Sequence, residues 1–222
     1  MPQDPCPLCQ SPTTHHFASV HRRTYLECPT CTLVFLTPSE RLGPDTERAH
    51  YLTHENDPND ARYREFLDRL AIPLTARLSP GARGLDVGSG PGPTLSLMLQ
   101  ERGFPMETYD PYFAPNPSVL EQSYDFITAT ETVEHFYDPG NEFARLTKLL
   151  RPGGFLGVMT EMLLDDRPFD KWHYPRDPTH VSFYRRSTMD WIAQHFRYEL
   201  EFPRPNVALF RKLDQKTYGM TR

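Results

Sequence analysis

Glu131, Glu134 and His135 stand close together in TATETVEHF (residues 128–136), directly after the apolar run YDFI. Two carboxylates and an imidazole at this spacing have four uses. They can face water at a helix start, where carboxylates favour the positive end of the dipole. Glu131 alone can hold a cofactor. His135 can act as a general base. The set can also bind a divalent metal, because carboxylate and imidazole make a mixed oxygen and nitrogen ligand shell. If 131–136 opens a helical turn, Glu131, Glu134 and His135 fall at i, i+3 and i+4 on one face, with Val133 and Phe136 turned to the core.

A second group of reactive side chains lies at the N-terminus. All four cysteines fall in the first 31 residues, as CPLC (Cys6, Cys9) and CPTC (Cys28, Cys31), with eighteen residues between the pairs. A gap of about 15–20 residues is that of a four-thiolate zinc site. Two thiolates from one tight turn reach a tetrahedral ion and a second turn completes the shell, so the expected role is structural zinc. Disulfides and a redox pair fit less well, since the chain reads as cytoplasmic and no βαβ pattern surrounds the motif. His15, His16 and His21 read as surface or loop residues. RRTYLEC and TLVFL read as strands beside the second knuckle.

The third group is a glycine loop in RGLDVGSGPGPTLSLMLQERG (83–103). Gly84 to Val87 reads as a buried strand, Gly88, Gly90 and Gly92 as its turn, and Leu95, Leu97, Met98 and Leu99 as the apolar face of a helix closed by Gly103. PMETYD follows as a strand ending in Asp110. Strand, glycine turn, helix and acidic strand end describe a nucleotide-type unit. A dinucleotide site wants G-x-G-x-x-G, but position 93 is Pro. A cationic, phosphate-free ligand suits Asp86 and Asp110 better, since nearby carboxylates attract it. Asp110 can accept from both hydroxyls of a ribose.

Other elements must position these groups. Residues 37–58 read as a polar, proline-rich linker with one short helical turn. NDARYREFLDRLAIPLTARL places Tyr63, Phe66, Leu67 and Leu70 on one helical face, with Asp57 as N-cap, Pro58 in the first turn and Pro73 ending or kinking the helix. NEFARLTKLLRPGG reads as an amphipathic helix ended by Pro152-Gly153-Gly154, and FLGVMT as the strand after it. Ser187 or Thr188 caps a last helix with Trp191 and Ile192 on its buried face. YELEF and VALFRK read as two antiparallel strands, and LDQKTYGMTR as a tail.

The 222 residues carry a net charge of -5 with a pI near 6.0, which weighs against a phosphate-backbone partner. No run of about eighteen apolar residues occurs, so no membrane span is expected. MPQDPCPLCQ lacks the basic and apolar regions of a secretory signal.

LDVGSGPG, then Asp110, then YDFITATETVEHF, then LLRPGGFLGV resembles the class I S-adenosylmethionine-dependent methyltransferases over about residues 60–210. The resemblance implies an α/β fold, a Rossmann-like sheet with helices on both faces, joined to the small N-terminal zinc ribbon. It implies boundaries at 1–37 for the ribbon, 38–79 for linker and helix, 80–213 for the methyltransferase domain and 214–222 for the tail. It implies that Asp86, Gly88, Ser89, Gly90 and Gly92 line the methionine end of the cofactor, Asp110 takes the ribose, and Thr130 and Glu131 form the cofactor edge. The family's helix, strand and helix before YDFI have no room in PYFAPNPSVLEQS, so a reduced third-strand region is expected. Adenine contacts then fall to Tyr112, Phe113 and residues 118–120, with Pro111 a further cofactor-binding residue of that loop.

The ExxEH motif further resembles ubiquinone-pathway O-methyltransferases and the methyltransferases of small-RNA 3′ ends, in which such residues hold magnesium with a distant histidine. Here that residue is His180, with His173 second. By this resemblance, Glu131, Glu134, His135 and His180 are the catalytic set, with a second divalent metal such as Mg2+ as one version. The aromatic segment 163–184 follows the fifth strand and is expected to fold over the site as a lid. The expected reaction is methylation of a hydroxyl on a small molecule. An RNA methyltransferase docking through the ribbon, and a non-catalytic interaction module, are the alternatives.

Overall fold

The computed structural model describes residues 4–53 and 57–214. The chain opens with β1 (His15–Val20), β2 (Arg23–Glu27) and β3 (Val34–Leu36). Two helices follow, α1 (Pro44–Tyr51) and α2 (Ala61–Thr75). The alternating section is β4 (Gly84–Val87), α3 (Thr94–Glu101), β5 (Met106–Tyr109), β6 (Tyr124–Thr130), α4 (Pro139–Leu149) and β7 (Leu150–Met159). β8 (Ser182–Phe183), α5 (Arg186–Phe196), β9 (Tyr198–Arg204) and β10 (Val207–Lys212) complete it.

Six strands make the main sheet in the order β5-β4-β6-β7-β10-β9, with β4 to β7 parallel to one another and β10 antiparallel to both β7 and β9. Leu67, Leu70 and Leu74 of α2 and Leu95 and Met98 of α3 bury one face against Phe126, Met159 and Leu209. Phe143 and Leu146 of α4 and Met189 and Ile192 of α5 bury the other against Ile127, Leu156 and Phe210. The α/β architecture with helices on both faces is as expected. So is the shortened region, because β5 is an edge strand and only a 3-10 turn, Pro117–Glu121, lies between it and β6. No helix among the described residues is long and apolar enough to cross a membrane.

The four cysteine sulfurs converge to within 4.8 Å of one another. Both knuckles use one turn: Gln10 N donates to the Cys6 carbonyl at 2.9 Å and Thr32 N to that of Cys28 at 2.8 Å. The β1-β2-β3 sheet does not stop there, because β8 pairs with β3 as its fourth strand. The segment expected to be a lid is therefore part of a packed layer. Leu163, Phe169, Trp172, Tyr174, Val181 and Phe183 share a buried cluster with Tyr25, Val34 and Leu36. The first knuckle meets α4, where a Cβ on Gly140 would come within 2.6 Å of the Leu8 carbonyl oxygen.

Several local expectations are corrected. Asp60, not Asp57, caps α2, accepting from Arg62 N at 2.8 Å, while Asp57 closes its own turn onto Asn59 N. Pro73 lies inside α2, which stops two residues later at Thr75. Arg185 is the N-cap of α5, with Thr188 accepting from its N–H at 3.1 Å. β7 starts at Leu150, well before FLGVMT. Leu150 pairs with Tyr124 and the ladder resumes at Phe155 with Phe126, so Pro152-Gly153-Gly154 forms a bulge instead of a helix end. Of the expected tail, residues 215–222 lie outside the described residues.

Candidate active site

A cavity of about 740 Å³ opens at the C-terminal ends of β4, β5 and β6, where open α/β sheets hold their ligands. Its floor is the glycine turn. Gly88 has φ +71° and its Cβ would sit 2.3 Å from the Thr132 side chain, so only glycine fits there. Asp110 accepts from Gly90 N at 2.9 Å through one oxygen and from Tyr112 N and Phe113 N at 2.8 and 3.0 Å through the other. One carboxylate thereby ties the glycine turn to the loop after β5. Asp86 lies beneath, 4% exposed, accepting from Thr128 Oγ1 at 2.6 Å and Ser96 Oγ at 3.1 Å. Burial pushes its carboxyl up to about 6.

Gly88, Ser89, Gly90, Gly92, Pro111, Tyr112, Phe113, Thr130 and Glu131 all line the cavity. Thr130 Oγ1 is buried without a hydrogen-bond partner, a feature a bound ligand would satisfy. Residues 118–120 are not among the lining residues, and Val119 is buried in the main core.

The far wall comes from distant segments. The TETVEHF stretch is not a helical turn: Glu131 has φ +47°, a conformation rare outside glycine, and only Val133–His135 forms a 3-10 turn. Glu134 is fully buried, Glu131 opens onto the cavity, and His135 faces His180 with ring centroids 4.8 Å apart. His135 Nδ1 is 3.1 Å from the Thr179 carbonyl and His180 Nδ1 is 2.8 Å from the Tyr174 carbonyl. A carbonyl accepts only, so both Nδ1 atoms carry a proton, which leaves the lone pair of the neutral His135 ring on Nε2, while His180 Nε2 lies 4.0 Å from the Asp177 carboxylate. Burial holds the His135 imidazole down, to about 4, against the pull of Glu134.

The carboxylates share a tyrosine. The Tyr174 hydroxyl contacts Glu134, lies 3.4 Å from Glu131 and is 2.9 Å from Thr160 Oγ1, which donates to Glu134 at 3.0 Å. Desolvation by the cavity wall first, then the neighbouring carboxylates Glu134 and Glu161, pushes the Glu131 carboxyl up, although the residue is open on its cavity side. Burial also raises Glu134, against the nearby His135. The ligand atoms of Glu134, His135 and His180 lie within 4.8 Å of one another; Glu131 is not in that group. His173 also lines the cavity, but it is 70% exposed, 3.2 Å from Glu161 and outside the group formed by Glu134, His135 and His180.

Sequence reading missed the third wall. α1, expected as a linker turn, puts Tyr51 edge-on to His135, with ring centroids 5.3 Å apart. Glu47 of α1, 8% exposed, accepts from Tyr51 at 3.0 Å and from Tyr112 at 2.7 Å. Asp177 meets His50 at 3.2 Å. The available signal was the i, i+4 pair Glu47 and Tyr51 in TERAHY, hidden by its polar surroundings. Tyr63 and Tyr109 also reach the cavity.

The family described as "Methyltransferase domain" matches residues 58–201. A ubiquinone biosynthesis O-methyltransferase from Proteus mirabilis is 32% identical over 85 residues, which are 38% of this chain and 35% of that protein. The chain thus spans about a third of the curated relative's length. Among solved structures, the 1,6-didemethyltoxoflavin-N1-methyltransferase of Burkholderia thailandensis, with bound 1,6-didemethyltoxoflavin and S-adenosylhomocysteine, superposes with a TM-score of 0.55. It is 16% identical, and the match covers 90% of this chain and 100% of that one. An O-methyltransferase family protein from the same organism gives a TM-score of 0.52 at 12% identity, over 69% of this chain and 57% of that one.

Proposed function

The chain belongs to the methyltransferase domain family; from that premise we propose that it is an S-adenosylmethionine-dependent enzyme that methylates a hydroxyl group of an uncharged small molecule. The observation that carries this reading is the meeting of His135, His180 and Glu134 at the sheet's C-terminal edge, with both imidazoles held through Nδ1 by main-chain carbonyls.

Bound S-adenosylmethionine supplies an activated methyl group, which leaves the chain to align the acceptor, exclude water and take one proton. The residues fit that cofactor: a glycine turn that admits close approach, an orphaned Thr130 hydroxyl at the wall, and carboxylates that suit a sulfonium. The set Asp86, Gly88, Ser89, Gly90, Gly92, Asp110, Pro111, Tyr112, Thr130 and Glu131 would hold it. Asp86 serves from below, through Thr128 and Ser96. His135, held neutral at pH 7 and fixed by the Thr179 carbonyl, has the lone pair to take the acceptor's proton. Tyr51 and α1 cover it from water.

Among the described residues, seven acidic side chains line the cavity (Glu47, Asp86, Asp110, Glu131, Asp138, Glu142 and Asp177), two of them, Asp86 and Glu131, shifted toward the neutral acid, against one guanidinium, Arg145. A phosphorylated or carboxylated acceptor would be repelled, and a polynucleotide more so. This favours a neutral small molecule over RNA.

His135, His180 and Glu134 also fit a divalent ion, and two imidazoles with one carboxylate suit zinc or manganese better than magnesium. An ion there would lower the pKa of an acceptor hydroxyl. The Nδ1–H bonds to carbonyls are the outer-shell contacts such ligands use. Cys6, Cys9, Cys28 and Cys31 fit a closed structural zinc.

The test is release of S-adenosylhomocysteine across a panel of neutral hydroxylated acceptors, with metal content measured on the same sample. Turnover with a phenol, catechol or sugar hydroxyl is expected. Full turnover by His135→Ala, or turnover on RNA alone, would overturn the reading.

A further inference from the structure

The loop that carries His180 is held from outside the catalytic sheet. Arg23, at the start of β2, donates through Nη2 to the Pro178 carbonyl at 2.8 Å and through Nη1 to the Asp177 carbonyl at 3.4 Å. Leu36 N of β3 donates to the Val181 carbonyl at 2.9 Å, and Val34 then pairs with Phe183. The active site takes the remaining groups of the same stretch. His135 donates to the Thr179 carbonyl, and Val181 N donates to the Glu134 carbonyl at 2.9 Å. Residues 177–181 are thus clamped between the four-cysteine ribbon and the Glu134–His135 turn.

Two features make this a specific linkage. The guanidinium is a planar fork that reaches two successive carbonyls, which a lysine ammonium on its single point cannot match. No described residue before Glu47 lines the cavity, so the described part of the ribbon acts on the site through what it holds. The cofactor floor is independent of it, since Asp86 and Asp110 find their partners between residues 90 and 128.

We propose that Arg23 is a positioning residue, which clamps the Asp177 and Pro178 carbonyls and so passes the folded state of the ribbon to His180, setting the acceptor wall without touching the cofactor floor. This rests on the reading of His180 as an acceptor-side group. The ribbon is then part of the catalytic apparatus, and loosening it detunes the site before it unfolds the protein.

The experiment uses the full chain with S-adenosylhomocysteine, comparing wild type, Arg23→Ala and Arg23→Lys. Hydrogen exchange is followed over residues 174–183 and 84–110. The histidine side-chain nitrogens are followed by NMR, with the His180 signal assigned by its loss in His180→Gln. For Arg23→Ala, exchange over 174–183 should rise about tenfold, the loss of one to two hydrogen bonds. The His180 signal should shift, and exchange over 84–110 and affinity for S-adenosylhomocysteine should stay within about twofold of wild type. Arg23→Lys should recover part of the protection. An unmoved His180 signal overturns the proposal, and so does an affinity loss that tracks the exchange, which would make Arg23 a general support. If Arg23→Ala does not fold, Arg23→Lys is judged by the same two criteria. Full turnover by His180→Gln, with the Arg23 coupling present, overturns the acceptor-side reading instead.

Discussion

The floor and the far wall of the cavity are built in opposite ways. The floor comes from one run of chain, residues 84–113, in which strand, glycine turn, helix and strand follow in order and Asp110 ties the ends together. The wall is assembled from α1, the 131–137 turn, residues 174–180 and, behind them, the ribbon. A contiguous unit holds a ligand that never changes. A wall gathered from distant segments can change with each acceptor while the floor stays the same.

Four changes break or sharpen that contrast. The largest effect is expected for His135→Ala, a loss of about 10²–10⁴ in methyl transfer with affinity for S-adenosylhomocysteine unchanged within about threefold. Equal losses in both would mean that floor and wall are one unit. Next, Cys31→Ala should lower the melting temperature by roughly 10 °C, since losing a buried ligand of the proposed structural zinc costs several kcal/mol. Exchange over 163–183 should rise before exchange over 84–110, because β3, which closely follows Cys31, pairs with β8 and buries Val34 and Leu36 against Leu163, Phe169 and Trp172.

The third change is at Asp86 and reads the floor through pH. Its carboxyl titrates near 3.8 when free and at about 6 when folded. Between those values the folded state binds more protons, so stability should fall as pH rises from about 4 to 6 and level off above. Asp86→Asn should remove that slope, worth roughly 3 kcal/mol in denaturant titrations at pH 4 and pH 7. The smallest effect is expected for Tyr51→Phe, which removes one of two hydroxyls on buried Glu47. It should cost about 1 kcal/mol, seen as a several-fold rise in KM for the acceptor with kcat little changed.

The same contrast decides what could be read from the sequence. Gly84–Val87, the glycine turn and Asp110 were legible because Asp110 closes onto the nearby Gly90 N–H and each has its own local signal. The four cysteines were legible by spacing. Glu131, Glu134, His135 and His180 were legible as residue types, and the structure brings the last three together. The group they form was not legible in detail: Tyr174, which joins the two glutamates, sat in an aromatic run that reads equally well as core. Glu47 and Tyr51 were hidden in a segment whose prolines and charges read as linker. Arg23 was invisible for a different reason. Its partners are main-chain carbonyls more than 150 residues away, and a carbonyl leaves no mark on the sequence. Asp57 and Asp60 show the ordinary limit of a cap assignment, two equivalent residues three apart.

The most direct test of the two-part construction is a calorimetric titration of S-adenosylhomocysteine into the His135→Ala/His180→Ala double variant. A dissociation constant within about threefold of wild type, alongside lost methyl transfer, is the predicted result. A loss of affinity beyond about tenfold, or over 1.4 kcal/mol, would show that the cofactor floor depends on the acceptor wall and would contradict the account.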